Sequence, residues 1–253
     1  MKKKTFMMIC LAILGIQVSK AQQSIIALHH EGNVTIFAGS KTQEAMDASV
    51  KGDTLYLSEG TFAGWNVTHG IVVLGSGERT VVSGNINITG NDEKKDIGGY
   101  VFSGLNLIHD FAVCDSINGL RISQCQMRHF WVNDAFFLDN SEIAMSKIRN
   151  IFYVGGDEVG LDVLNSIISE VHYAGRTYGS VTFNHCNIGW AQRYNTNDYG
   201  KYNTYINCIL HRVDQATCYY CLYDEEYDSP SLTNCYNLNF DCNENLSPSH
   251  LSE

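Results

Sequence analysis

Basic residues are scarce in this chain. Lys and Arg number 17 against 27 acids, a formal net charge of −10 over 253 residues, which argues against a nucleic-acid backbone as partner, since such binding needs neutralising basic patches. Proline is scarcer still, with two in the chain, and no long helical pattern follows residue 52. Strand pairing can therefore recur without interruption, and a helical fold has no support. After residue 16 no segment is apolar enough to cross a membrane. The regular leucine and asparagine frame of leucine-rich repeats is also missing.

What is present begins with MKKKTFMMICLAILGIQVSKAQQ. Three lysines precede an apolar run from Phe6 to Ile16, and Ser19 and Ala21 supply the small-residue spacing of a signal-peptidase site. The run is well short of the roughly 20 residues that span a bilayer, so residues 1–21 read as a cleavable secretory signal and not as an anchor. Little apolar sequence precedes Cys10 and Ile9 is bulky, which argues against lipidation there. Removing Lys2, Lys3, Lys4 and Lys20, with no acid, moves the net charge from −10 to −14. The mature chain, residues 22–253, is expected to be secreted, in the periplasm, at the cell surface or outside the cell, with no transmembrane segment after cleavage.

A repeat runs through that chain. FSGLNL carries Ser103, ISQCQM Cys125, FLDNSEI Ser141, VLNSII Ser166, FNHCNI Cys186, YINCIL Cys208 and LTNCYN Cys235, at a mean spacing of 22 residues. Each unit has an apolar residue, one or two polar residues rich in Asn, a small Cys or Ser, then an alternating strand. Repeats of this length mean stacked units, each too small to bury its own face. The runs LRIS, VTFN and YINC are short, alternating and broken by Gly, Asn or Asp. The fold class they predict is all-β, a right-handed parallel β-helix forming one domain over 22–253, with coils from 54 to 240 about 4.8 Å apart. Cys125, Cys186, Cys208 and Cys235 then form an interior ladder, since free Cys behaves as a small buried hydrophobe. Asn side chains at the bends can stack as amide ladders, and His185 falls at a bend beside the ladder.

Cys114, Cys218, Cys221 and Cys242 fall outside this register. Export permits disulfides, and CYYC at 218–221 has the spacing of a redox motif or zinc half-site. No second C-x-x-C and no βαβ pattern accompany it. A local structural role is expected, with Cys218 or Cys221 bridged to Cys242, and no metal site is assigned.

The front is organised differently. Ala45, Met46, Ala48 and Ser49 allow a short amphipathic helix over 42–50, whose task is to cover the open end of the first coil. KGDTLYLSEGTF follows, then GIVVLGSGERTVVSG. These stretches resemble the N-terminal cap and first coils of the pectin-lyase-like right-handed β-helix superfamily, in particular exported β-helix proteins of Bacteroidetes-type bacteria, where ALHHEGNVTIF at 27–37 also has counterparts. The resemblance implies an exported protein meeting polysaccharide or a cell-surface glycan, and leaves the reaction undecided between lyases, hydrolases, esterases and noncatalytic adhesins. Signatures of the enzymes are missing: no Gly-His-Gly or Arg-Ile-Lys, no Trp-Ile-Asp-His, and no QAVAL-like or DFIFG-like run.

Two clusters are candidate sites. In GWAQRYNTNDYGKYNTY, residues 189–205, the rings of Trp190, Tyr194, Tyr199, Tyr202 and Tyr205 can stack on sugars, while Arg193, Asn195, Asn197 and Asp198 bond hydroxyls. The bland alternative is that these tyrosines cover an irregular loop. In CYYCLYDEEYD, Tyr219, Tyr220, Tyr223 and Tyr227 surround Asp224, Glu225, Glu226 and Asp228. Acidic oxygens could supply the six to eight ligands of calcium, the one cofactor left open, although an acidic run is ordinarily a solvated loop. A lyase would recruit these acids for the metal, with Arg176, Arg193 or Arg212 for charge. The favoured reading is an exported noncatalytic β-helix that binds carbohydrate or supports a cell surface. The alternative is a polysaccharide lyase or glycoside hydrolase of the pectin-lyase-like type, and the net charge weighs against an acidic substrate.

Overall fold

A computed structural model describes residues 24–89, 97–133, 138–155, 159–172, 180–191, 203–214, 216–227 and 230–238. Apart from one short helix and one 3-10 turn its regular elements are strands, wound into a parallel β-solenoid. Among the described residues, successive coils stack into two long sheets of 12 and 14 strands. In one coil Val159–Leu164 runs in the first sheet, Asn165 turns the corner, Ser166 points inward, and Ile167–His172 runs in the second sheet. The next coil repeats this with Ser180–Asn184, His185, Cys186 and Asn187–Ala191. Residues with the same role pair across the coils, Val163 with Phe183 and Ile168 with Ile188.

The corner explains the Asn-rich repeat. Gly104, Gln124, Met145, Asn165, His185, Asn207, Tyr220 and Asn234 occupy it with φ between 48° and 66°. A single left-handed residue turns the strand from one sheet into the other; Asn tolerates that conformation, whereas bulkier residues incur about 1–2 kcal/mol. Gly104 has a second constraint, because a Cβ there would stand 2.7 Å from the Gly75 carbonyl oxygen.

The residue after each corner faces inward, and this column is the small-residue ladder: Leu105, Cys125, Ser146, Ser166, Cys186, Cys208, Cys221 and Cys235. Backbone bonds define its register. The N–H groups of Lys147, Ile167, Asn187, Ile209, Leu222 and Tyr236 donate to Cys125, Ser146, Ser166, Cys186, Cys208 and Cys221 respectively, at 2.8–2.9 Å. Two members expected from sequence are corrected. Ser141 follows Asn140, which adopts φ 46° at a bulge earlier on its strand, so the same Asn-Ser signature marks a different bend. Ser103 faces outward, and its hydroxyl accepts from that of Ser123 at 3.0 Å. Conversely Cys221 lies in register, because coils of 20–22 residues shorten to 13 and 14 after Cys208. Cys218 stacks beneath Tyr205 in the inner row of the first sheet. Both thiols are free and buried, facing the core and not a bridge; Cys242 lies outside the described residues.

Aromatic rings in stacked and edge-to-face contact fill the interior. Phe102, Phe111, Phe130, Phe152, Phe183 and Tyr205 form a continuous file with ring centroids 4.9–6.0 Å apart. Burial pushes the Cys125 thiol up to about 12, and the contact with Cys186 pushes Cys208 to about 12 as well. Since the thiolate is the reactive form, Cys125, Cys208, Cys218 and Cys221 will resist a thiol reagent in the native protein at pH 8, while partly exposed Cys114 and Cys235 react. Mass mapping after brief alkylation checks this, and rapid labelling of Cys208 would contradict the buried ladder.

The N-terminal end is sealed by an antiparallel hairpin. Ile25–His30 and Asn33–Ala38 are joined by Glu31 and Gly32, with φ 45° and 81°, the paired positive angles of a two-residue type I′ turn. Ile25–His30 then pairs antiparallel with Thr54–Leu57, the first rung. Helix α1 spans Thr42–Asp47, shorter than 42–50, because Ala48 caps it and the Ser49 hydroxyl donates back to the Met46 carbonyl at 2.6 Å. Ala45 and Met46 are buried, and the helix packs beside Trp65–Val67. No helix among the described residues is long and apolar enough to cross a membrane.

Asp53 ties helix to hairpin. One carboxylate oxygen accepts from the Val50 N–H at 2.9 Å and the other meets His30 Nδ1 at 2.8 Å. Burial opposes the charged form of Asp53, yet the Val50 bond and His30 outweigh it and hold the carboxyl below 3.8. The bond to Asp53 raises His30 above 6.5. The Asp53 contribution is present above pH 3.8 and lost as pH falls through its lowered pKa; the His30 contribution is present below pH 6.5 and lost as pH rises through its raised one. The contact is therefore strongest between about pH 4 and 6.5. An NMR titration should find His30 raised in the native protein and back at its ordinary value in Asp53→Asn.

Candidate functional site

Of the expected binding loop, Trp190 and Tyr205 can be placed. Arg193, Tyr194, Asn195, Asn197, Asp198, Tyr199 and Tyr202 lie outside the described residues, as do Arg176 and Asp228. Tyr205 is not a surface ring: it is fully buried and stacked on Phe183 at 4.9 Å. Trp190 does face outward, on the strand Asn187–Ala191, with buried Ile188 and Ala191 fixing the opposite face. Its register neighbours across the outer surface of the second sheet are Glu170 on one side and Arg212 on the other.

That surface gathers residues from many coils. Where F-x-V recurs at Phe111–Val113, Phe130–Val132 and Phe152–Val154, the Phe and Val are buried and the middle residue faces out. The middle residues are Ala112, Trp131 and Tyr153, in adjacent register. Trp131 and Tyr153 lie 4.8 Å apart at 47°, an aromatic ledge along the solenoid axis. His129 meets the edge of Trp131 at 5.8 Å, and its Nδ1 is 2.7 Å from Asp110 Oδ1. Tyr153 is followed in register by His172, which pairs with Glu170. Beyond it the Arg212 guanidinium lies 4.5 Å over the Trp190 ring and reaches Glu225 at 3.3 Å. Trp190 Nε1 is buried with no hydrogen-bond partner among the described residues.

The acids at 224–226 go to separate partners. Asp224 bonds His211 at 2.9 Å, Glu225 pairs with Arg212, and Glu226 accepts from the Tyr223 hydroxyl at 3.5 Å. Tyr223 lies on the inner face beside Leu210, while Tyr219 and Tyr220 are exposed. Among the described residues no three His, Cys, Asp or Glu side chains converge as a metal set.

Compared with known proteins, the chain matches no family model, no curated protein and no solved structure. The fold is a parallel β-solenoid. Its outer surface must carry the functional reading, and the chemistry there is that of a receptive face: flat rings flanked by His-carboxylate pairs, each able to exchange hydrogen bonds with hydroxyl groups. Sequence reasoning missed Trp131, Tyr153, His129 and Asp110. The F-x-V recurrence was the available signal, but it is masked because HFWV and IFYV look like continuous core.

Proposed function

We propose that the protein is an exported, noncatalytic glycan-binding solenoid that holds a carbohydrate chain along the outer face of its second sheet. The observation that carries this is the Trp131–Tyr153 ledge, continued by Trp190 under Arg212 on the same face. Such rings offer large rigid contact area at little entropic cost. Asp110–His129 and Glu170–His172 border the ledge and supply acceptors and donors for sugar hydroxyls.

Spacing favours binding over hydrolysis. Asp110 and Glu170 sit three rungs apart in register, through His129 and Ile151, which places their backbones about 14 Å apart. Glycosidases hold their two carboxyl groups about 5–9.5 Å apart. The test is affinity electrophoresis of folded 22–253 against neutral and acidic polysaccharides, with release of reducing or unsaturated ends measured in parallel, with and without calcium. Retardation without product supports the reading. Product formation, lost on substituting Glu170 or Arg212, would replace it with a carbohydrate-active enzyme.

A further inference from the structure

One cluster of cations makes no direct ion pair with an acid among the described residues. Most described ion pairs in this acid-rich chain are ordinary: Lys41 with Glu44, Arg79 with Glu59, Arg212 with Glu225. Arg149 differs. Its Nη2 donates to Asn106 Oδ1 at 2.6 Å and Gln126 Oε1 at 2.9 Å, amides two rungs and one rung back respectively, and no carboxylate pairs with it among the described residues.

The two amides are held in that orientation. Asn106 Nδ2 donates to the Glu78 carbonyl at 3.2 Å, and Gln126 Nε2 donates to the Glu78 carboxylate. Each amide therefore has its nitrogen satisfied elsewhere and its oxygen committed to Arg149. The guanidinium is thus fixed directly by neutral groups, with the Glu78 carboxylate one amide removed from it. Lys147 lies in register beside Gln126 and is exposed. Arg128 is exposed on the rung before Arg149, since the Asn150 N–H donates to the Arg128 carbonyl at 3.0 Å. Neither Lys147 nor Arg128 has an acidic partner among the described residues.

Three cations on two successive rungs repel one another, and a chain with 27 acids has ample means to pair them. With both Nη2 hydrogens given to the two amides, the Nη1 and Nε hydrogens of the immobilised guanidinium remain as charge-assisted donors for an oxyanion. We propose that Arg149, Lys147 and Arg128 form an anion-binding site for an oxyanion group, a sulfate, phosphate or carboxylate, either free or carried on a polymer. Arg149 makes the oriented bonds, while Lys147 and Arg128 supply mobile charge.

Two sets of measurements test this. Mobility of the full mature protein is compared in gels containing dextran sulfate or plain dextran, and inorganic sulfate and phosphate are titrated calorimetrically at constant ionic strength. Dextran sulfate should retard the protein where dextran does not, and Arg149→Gln should weaken that retardation about tenfold, with Arg149→Lys intermediate because it keeps the charge and loses the oriented planar donors. Should Arg149→Gln fail to fold, the double variant Arg128→Gln/Lys147→Gln, which removes two exposed side chains, should weaken binding about fivefold. Heat from the inorganic ions places recognition in the isolated oxyanion; retardation without such heat places it in an anion presented on a chain. Absence of both in low salt, or equal retardation of wild type and the folded variants, overturns the site. The outcome is separable from the glycan reading, because inorganic sulfate and phosphate carry no sugar ring for the ledge to hold and Trp131→Ala should leave their heats unchanged.

Discussion

Phe130→Ala will lower the stability of the folded chain by about 3–5 kcal/mol, the range for truncating a large buried aromatic. Phe130 is fully buried between Phe111 at 6.0 Å and Phe152 at 5.2 Å, in the middle of the aromatic file. Its neighbours cannot close over the void, because the strands on either side are held in parallel register with the coils above and below. A solenoid is also quasi-one-dimensional, so a weakened coil uncouples the two halves instead of being averaged over a globular core. Urea unfolding followed by circular dichroism should show a lower and broader transition. Phe130→Leu, which refills most of the volume, should recover the greater part of the loss. A deficit under about 1 kcal/mol for the Ala variant would mean that the coils collapse onto one another.

The second large effect belongs to the ledge. Trp131→Ala should reduce affinity for the recognised glycan about 30-fold, corresponding to the roughly 2 kcal/mol that marks an aromatic binding hot spot. Stability should change little, since Trp131 stands on the outer face while its neighbours Phe130 and Val132 carry the core. Tyr153→Phe should cost much less than Tyr153→Ala if ring stacking dominates. Calorimetry of the three variants against the polysaccharide selected by affinity electrophoresis gives the comparison. Equal affinity of wild type and Trp131→Ala would remove the ledge from the proposal and turn attention to Trp190. A parallel loss of melting temperature would assign Trp131 to packing.

Much of the architecture is legible in the amino-acid sequence. The alternation in VTFN and YINC, the small residue after an Asn-rich bend, and the approximately constant period led to a parallel solenoid, and Cys125, Cys186, Cys208 and Cys235 do occupy one interior column. His185 does sit at the corner, exposed and with φ 55°. The differences from that reading have separate causes. Ser141 and Ser146 each follow a residue of positive φ, Asn140 and Met145, and composition cannot tell which bend is the corner between sheets. Cys221 was lost because the coils shorten near the C-terminal end, which a fixed period does not anticipate. The hairpin turn at Glu31–Gly32 lacks the Asn-Gly or Asp-Gly pair that ordinarily announces it.

The candidate site was far less legible, for a geometric reason. Whether a side chain faces in or out is a local matter of period two, carried within each strand by its own neighbours, so the chain alone specifies the core and the repeated corner. Which outward residues become neighbours depends on the register between coils some 20 residues apart, and bulges at Asn118–Leu120, Leu138–Ser141 and Ile148–Ile151 shift that register along the way. Trp131 meets Tyr153, and Arg149 reaches back to Asn106, 43 positions earlier, because coil closure brings them there. Those juxtapositions arise from summed coil lengths and not from any local pattern, so they come into being with the stacked structure.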